Sequence, residues 1–250
     1  MLKMVKCVKS IEDFKVNEFL KLNIGVEIQD FTRFSLDESI ESKVDEYKKM
    51  LNGFKNIISI HGPFLDLRPA SPDPDIRRVS YSKYIKALNI AKELQANYIV
   101  FHSQINPYLN EPCLNNLMNS KTREFWLEIL SESDYKGMVL IENVFEDSPQ
   151  MLKEYIETVN IPNIRVNLDI GHAKLKGNPL EEWIIELRKY IEYIHIHSNN
   201  GKYDEHKSPS QYEIKELNDL TVKYNINPVY AIEYAVDDIE KEISRYETSK

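Results

Sequence analysis

Glycine is scarce in this chain, seven in 250 residues. The first apolar run leads into CVKSIEDF, which has no glycine. That argues against the Gly-rich first turn of a doubly wound, dinucleotide-binding sheet. Cysteine is scarcer still, with only Cys7 and Cys113. Two cysteines make no disulfide framework, and the expectation is a pair of reduced thiols in a cytoplasmic protein. Long apolar runs are missing as well. The N-terminal stretch MLKMVKCVKSIEDFKVNEFL meets charge at once, so no signal peptide is expected, and no later run is long enough to span a bilayer. Positive charge is in deficit, with 32 Lys and Arg against 40 Asp and Glu, a net charge of −8. Such a chain has no overall pull on nucleic acid or anionic membranes. Linkers, low-complexity tracts and strong short repeats are also absent, so residues 1–250 are expected to form a single domain.

What the chain does have is alternation. Short β-branched apolar runs occur at 3–9, 24–30, 57–62, 98–103, 138–143, 164–169, 193–197 and 228–234. Continuous apolar runs of this kind suit parallel strands buried on both faces. Amphipathic helical patterns fall between them, at 37–51, 79–95, 119–132, 148–158, 179–189, 210–224 and 237–246. Ser148-Pro149, Asn178-Pro179 and Ser208-Pro209 supply helix-start signals. Eight such strands alternating with helices over this length predict a (β/α)8 TIM barrel, an α/β fold with its site at the C-terminal strand ends.

Those strand ends carry a consistent chemistry. The third ends at His61, the fourth at His102 and the fifth at Glu142. The sixth ends at Asp169, with His172 just beyond, and the eighth ends at Glu233. The seventh lies in YIHIHSNNGKYDEH (193–206), ending at His197 and followed by Asp204 and His206. Counting back by twos places Ser59, Val100, Leu140, Asn167, His195 and Ala231 on the same inward side. Carboxylates crowded on one face repel one another, and a bound cation relieves that. Mixed His and carboxylate donors suit zinc, manganese, iron or cobalt. His195 lies one inward position deeper than His197, which fits a supporting or packing role.

The residues GVEI (25–28), HGPFLDL (61–67), FHSQINP (101–107), IEN (141–143), LDIGH (168–172), HIHSNNGKYDEH (195–206) and IEY (232–234) together resemble the xylose-isomerase-like barrel superfamily. That group includes sugar isomerases and epimerases such as tagatose 3-epimerase, and also endonuclease IV. The resemblance implies a metal core at Glu142, Asp169, His197 and Glu233, with the two glutamates also exchanging a proton with the sugar. The endonuclease branch implies further ligands at His61, His102, His172, Asp204 and His206, with Glu142 bridging two ions. The cofactors implied are one to three divalent ions per chain, zinc or manganese.

The leading expectation is a metal-dependent isomerase or epimerase acting on a small sugar or sugar phosphate, with Glu142 and Glu233 catalytic. The alternative is an endonuclease-IV-like phosphodiesterase, and nucleic acid is a partner only in that reading. Nine ligands exceed what proton transfer needs, which favours the alternative. The acidic charge and the lack of chain for DNA-gripping insertions favour the first. Phe64 is read as closing an apolar pocket wall, or as a wedge with Leu65 in the endonuclease reading. His195 is read as a further substrate contact; Arg68, Arg77 and Arg78 either meet a substrate phosphate, Arg68 being the one assigned to the substrate, or pair with neighbouring aspartates. The Asp-x-His loop continues as EHKSPSQYEI, without the glycine that the superfamily turn carries. That departure counts against a phosphate-facing turn there.

Overall fold

Eight strands pair in sequence order, all parallel, and β8 closes on β1. They are β1 (Lys3–Val8), β2 (Gly25–Ile28), β3 (Ile58–His61), β4 (Tyr98–His102), β5 (Met138–Glu142), β6 (Ile164–Asp169), β7 (Ile191–Ile196) and β8 (Val229–Ile232). The structure is a computed structural model, which describes residues 2–32, 40–109 and 111–248. The helices packed outside are α1 (Val16–Leu22), α2 (Ile40–Met50), α3 (Pro74–Glu93), α4 (Pro112–Ser133), α5 (Pro149–Val159), α6 (Ile170–Leu175), α7 (Leu180–Leu187), α8 (Gln211–Lys223) and α9 (Ile239–Glu247). The expected (β/α)8 barrel is therefore the observed fold. Residues 37–39 of the helix expected at 37–51 lie outside the described residues.

Strand parity sets the interior. Ser59, Val100, Leu140, Asn167, His195 and Ala231 all point inward with no exposed surface. A small inner cluster of Val5, Cys7, Val100, Leu140, Tyr193, Val229 and Ala231 fills the barrel below the site. The larger core lies between strands and helices. There Tyr84 of α3 stacks on Phe101 of β4 at 4.3 Å, and Trp126 of α4 closes on both rings. Each aromatic pair adds about 0.5–1.5 kcal/mol beyond its buried area. This packing fixes β4 and so the base of His102. A Cβ at Gly62 would stand 2.3 Å from the Phe101 ring, so the residue after His61 has no room for a side chain.

Element boundaries differ from expectation where capping decides them. α3 starts at Pro74, five residues early, because the Asp73 carboxylate accepts from the amides of Asp75 and Ile76. Such a cap is worth about 1 kcal/mol, and proline suits the first helical turn. α4 likewise starts at Pro112. β7 starts two residues early, at Ile191, with a register irregularity opposite Val166 and Asn167. α1 and the short α6 were not anticipated. α6 exists because Asp169 caps it, its Oδ1 accepting from the His172 amide at 2.7 Å.

Candidate metal centre

The C-terminal ends of the strands open into a cavity of about 1120 Å³. Its lining includes His61, His102, Glu142, His172, Asp204, His206 and Glu233. Asp169 and His197 lie beneath them, at 0% and 1% exposure. All nine positions expected to bind metal thus converge on one face of the barrel.

Three groups can be distinguished by distance. On one side, His61 Nε2 lies 3.5 Å from Glu142 Oε2, and His102 Nε2 lies 3.9 Å from Glu142 Oε1. At the floor, His197 Nε2 is 3.0 Å from Asp169 Oδ2 and 4.0 Å from Glu233 Oε2. At the rim, Asp204 Oδ2 is 3.2 Å from His172 Nε2 and 3.0 Å from His206 Nε2. Glu142 belongs to both of the first two groups, since its Oε2 also reaches toward the floor.

Backbone carbonyls set the histidine tautomers. His61 Nδ1 faces the Gly62 carbonyl at 2.8 Å, His172 Nδ1 the Asn143 carbonyl at 2.9 Å, and His206 Nδ1 the Glu233 carbonyl at 2.9 Å. A carbonyl only accepts, so each Nδ1 carries the proton and donates it. Neutral rings held this way turn the Nε2 lone pair toward a carboxylate. Acceptor then faces acceptor, and a cation or an added proton reconciles them. Metal-binding histidines are oriented by this kind of second contact, so the donor set fits a divalent ion.

Charge follows from the same contacts. Burial opposes ionisation of Glu142 and Glu233, but the neighbouring histidines, His195 foremost, outweigh it and hold both carboxyls below the usual range. Burial pushes His102 down to about 4. For His206 burial is outweighed by Asp204 and Glu233, which lift the imidazole to about 9.

Several supporting residues escaped the sequence reading. Asn143 clasps the backbone of Asp169, donating to its carbonyl at 2.9 Å and accepting from its amide at 2.8 Å. Asn167 donates to Glu142 Oε2 at 3.2 Å and accepts from the His195 amide at 3.0 Å. Gln29 donates to Glu233 Oε1 at 2.7 Å and to Glu27 Oε1 at 3.1 Å. Glu27 is fully buried. The signal for it was available: a carboxylate at an inward position of an apolar strand needs partners. A Cβ at Gly171 would stand 2.0 Å from the His197 ring, so LDIGH brings α6 against the floor only with glycine there.

The three expected substrate contacts fall differently. Phe64 lines the cavity and stacks on His102 at 4.4 Å and 17°. Arg68 lines the mouth, with Lys9 and Lys43 also on the lining. His195 is a correction. It has no exposed surface and does not line the cavity, because its ring lies under the carboxylates rather than beside them. Arg78 pairs with Asp75 at 3.1 Å, as one of the two readings of that arginine had it. His206 takes φ 47, in the left-handed region, but none of the residues 207–210 that follow it does, so the chain there does not adopt the backbone of a glycine turn.

The profile of the xylose isomerase-like TIM barrel family matches residues 24–236. The chain belongs to that family. Among its relatives, uncharacterized protein MJ1614 of Methanocaldococcus jannaschii is 31% identical over 193 residues, 73% of each chain. MJ1311 of the same organism is 29% identical over 157 residues, which is 60% of this chain but only 54% of that protein. Solved structures similar to it include a D-tagatose 3-epimerase-like protein (TM-score 0.75, 23% identity, 99% of this chain and 95% of that one). An AP endonuclease, family 2, from Brucella melitensis has a TM-score of 0.68 at 15% identity, with 95% of each chain covered. These two likenesses concern the fold. Among the described residues, no helix is long and apolar enough to cross a membrane.

Proposed function

We propose that this chain is a divalent-metal-dependent isomerase or epimerase of a sugar or sugar phosphate. The observation that carries the reading is the pairing of Glu142 and Glu233. They come from β5 and from the end of β8, on different sides of the ring, and both line the cavity. Both Oε2 atoms lie close to one nitrogen, His195 Nδ1, at 3.4 and 3.1 Å. Glu142, Asp169, His197 and Glu233 would hold the central ion, with His61 and His102 on the flank of Glu142. When bound, the ion polarises a carbonyl and hydroxyl pair on the sugar and stabilises charge beside it. Glu142 and Glu233 are held ionised, so either can take the proton from the carbon next to the carbonyl. Once the other glutamate has taken up a proton from solvent, its delivery of that proton to the opposite face epimerises the carbon, and the first glutamate returns its own proton to solvent. Return to the neighbouring carbon isomerises the sugar. Phe64 and Val144 give the cavity an apolar wall, and Arg68 at the mouth meets a phosphate if the sugar carries one.

A second reading rests on one specific observation, the rim group. His172, Asp204 and His206 form a set of donors that proton transfer does not use. Three clustered ions suit phosphodiester cleavage. Against a duplex substrate stand the net charge of −8 and a lining whose cations are few and share the wall with Asp30 and Asp66.

The test is turnover in deuterated water on a panel of ketoses and ketose phosphates, with manganese- or zinc-loaded protein. The expected result is an interconversion that places solvent deuterium on the carbon next to the carbonyl. Product formed without solvent exchange would demote the glutamates to ligands. Incision of abasic duplex DNA at low salt, lost in His172→Ala, Asp204→Ala and His206→Ala, would overturn this reading in favour of the second.

A further inference from the structure

The histidine that the reaction leaves idle sits at the most crowded point of the floor. His195 Nδ1 lies 3.1 Å from Glu233 Oε2, 3.4 Å from Glu142 Oε2 and 3.8 Å from Asp169 Oδ2. These oxygens come from three different strand ends. Yet Nδ1 makes no hydrogen bond, and neither does Glu233 Oε2, although both atoms are buried. At 3.1 Å the distance allows one; the direction does not. Buried polar atoms left like this are rare and call for an explanation.

The other ring nitrogen is firmly occupied. His195 Nε2 lies 3.0 Å from both oxygens of Glu27. Glu27 also accepts from Tyr193 at 2.9 Å, Gln29 at 3.1 Å, Ser59 at 3.4 Å and Cys7 at 3.5 Å. A carboxylate with so many donors acts as an acceptor, so Nε2 carries the proton. The tautomer is therefore the reverse of that in His61, His172 and His206. There the backbone holds Nδ1 and frees Nε2; in His195 a buried carboxylate holds Nε2 and frees Nδ1.

Donor atoms that share one ion sit at such distances without pointing at each other. Bonds of about 2.1 Å give donor-to-donor edges of about 3.0 Å in an octahedron and about 3.4 Å in a tetrahedron. The two shortest His195 Nδ1 separations fall in or close to that range.

We infer that His195 Nδ1 is a direct ligand of the central ion, beside Glu142, Asp169, His197 and Glu233, and that Glu27 is the positioning residue that fixes its tautomer. The inference rests on the metal-binding part of the proposed function and not on the reaction. It explains why the Glu27 carboxylate is buried inside the barrel together with Tyr193, Ser59 and Cys7. Their cost is offset by orienting one ligand nitrogen.

The experiment is a crystal structure of the wild-type chain loaded with Co2+, with the ion located by anomalous scattering. The expected result is a floor peak about 2.1 Å from His195 Nδ1. A floor peak held by the other four residues, with a water or no contact between it and Nδ1, overturns this inference and leaves the proposed function standing. Absence of any floor peak overturns both. Co2+ affinity by chelator competition gives the second readout. Glu27→Gln, which keeps the shape but donates where Glu27 accepts, should weaken the floor ion about 10- to 100-fold. The rim group should bind as in wild type. An unchanged floor affinity in both Glu27→Gln and His195→Gln would overturn the assignment.

Discussion

The floor and the rim of the cavity solve the same problem by different means. The floor donors, Asp169, His195, His197, Glu142 and Glu233, stand on strands or one residue past them, and none is more than 8% exposed. The rim donors Asp204 and His206 stand on a loop, with side chains 36% and 28% exposed. The floor is placed by strand parity and braced by buried amides, Asn143 and Asn167. The rim is placed by local hydrogen bonds: Ser198 and Lys207 exchange both backbone bonds at 2.7 and 2.8 Å, and His206 stacks on His197 at 4.1 Å. A strand-borne site costs little to hold, because the barrel already fixes it. A loop-borne site depends on contacts that open separately from the global fold.

The largest expected effect distinguishes the two directly. Asp169→Asn keeps the cap of α6 but removes a charge from the centre of the floor. It should weaken the floor ion on the order of 100-fold or more, while Asp204→Asn should remove only the rim ion. Competition with a chelator, followed for each ion, checks this. If Asp204→Asn weakens the floor as much as Asp169→Asn does, the two regions are one cooperative centre and the comparison breaks.

A smaller effect sharpens it. Glu213 at the start of α8 braces the rim loop, accepting from Ser198 at 2.6 Å, Lys174 at 2.8 Å and the Ser210 amide at 2.7 Å. Burial opposes its ionisation, but these donors outweigh it and hold the carboxyl at about 2. A carboxyl lowered in the folded state adds stability above its unfolded value, and that stability is lost as pH falls through the folded one. Denaturant unfolding of Glu213→Gln should therefore show a loss of at most about 1 kcal/mol at neutral pH, after allowing for solvent screening. The gap to wild type should close between about pH 4.5 and about pH 2. A gap that persists at the acid end would mean that Glu213 acts through packing and not through charge.

How much of this was legible in the sequence follows the same division. The barrel and the floor could be read because strand period is a property of a few consecutive residues. Counting by twos from His197, Glu142 and Asp169 reaches the interior correctly. The role of His195 could not be read that way. Parity gives its direction, but not that Glu27, 168 positions away in the chain, would hold its far nitrogen. Asn143 was likewise visible only as part of IEN, since its clasp on Asp169 joins two strands. The rim residues could be noted only as lying just past strand ends, and their place in a ligand set came from family resemblance and not from period, because a loop has none. The early starts of α3 and α4 were missed because Pro74 and Pro112 open those helices ahead of their apolar periodicity.

The central claim is that this ring of histidines and carboxylates is built around divalent ions. Its most direct test is the metal content per chain of purified protein reconstituted with Zn2+ or Mn2+ and freed of excess ion. Wild type is expected to keep at least one tightly held equivalent, absent from Asp169→Asn, with further equivalents lost in Asp204→Asn. A folded wild-type chain that retains no stoichiometric ion after reconstitution would contradict it.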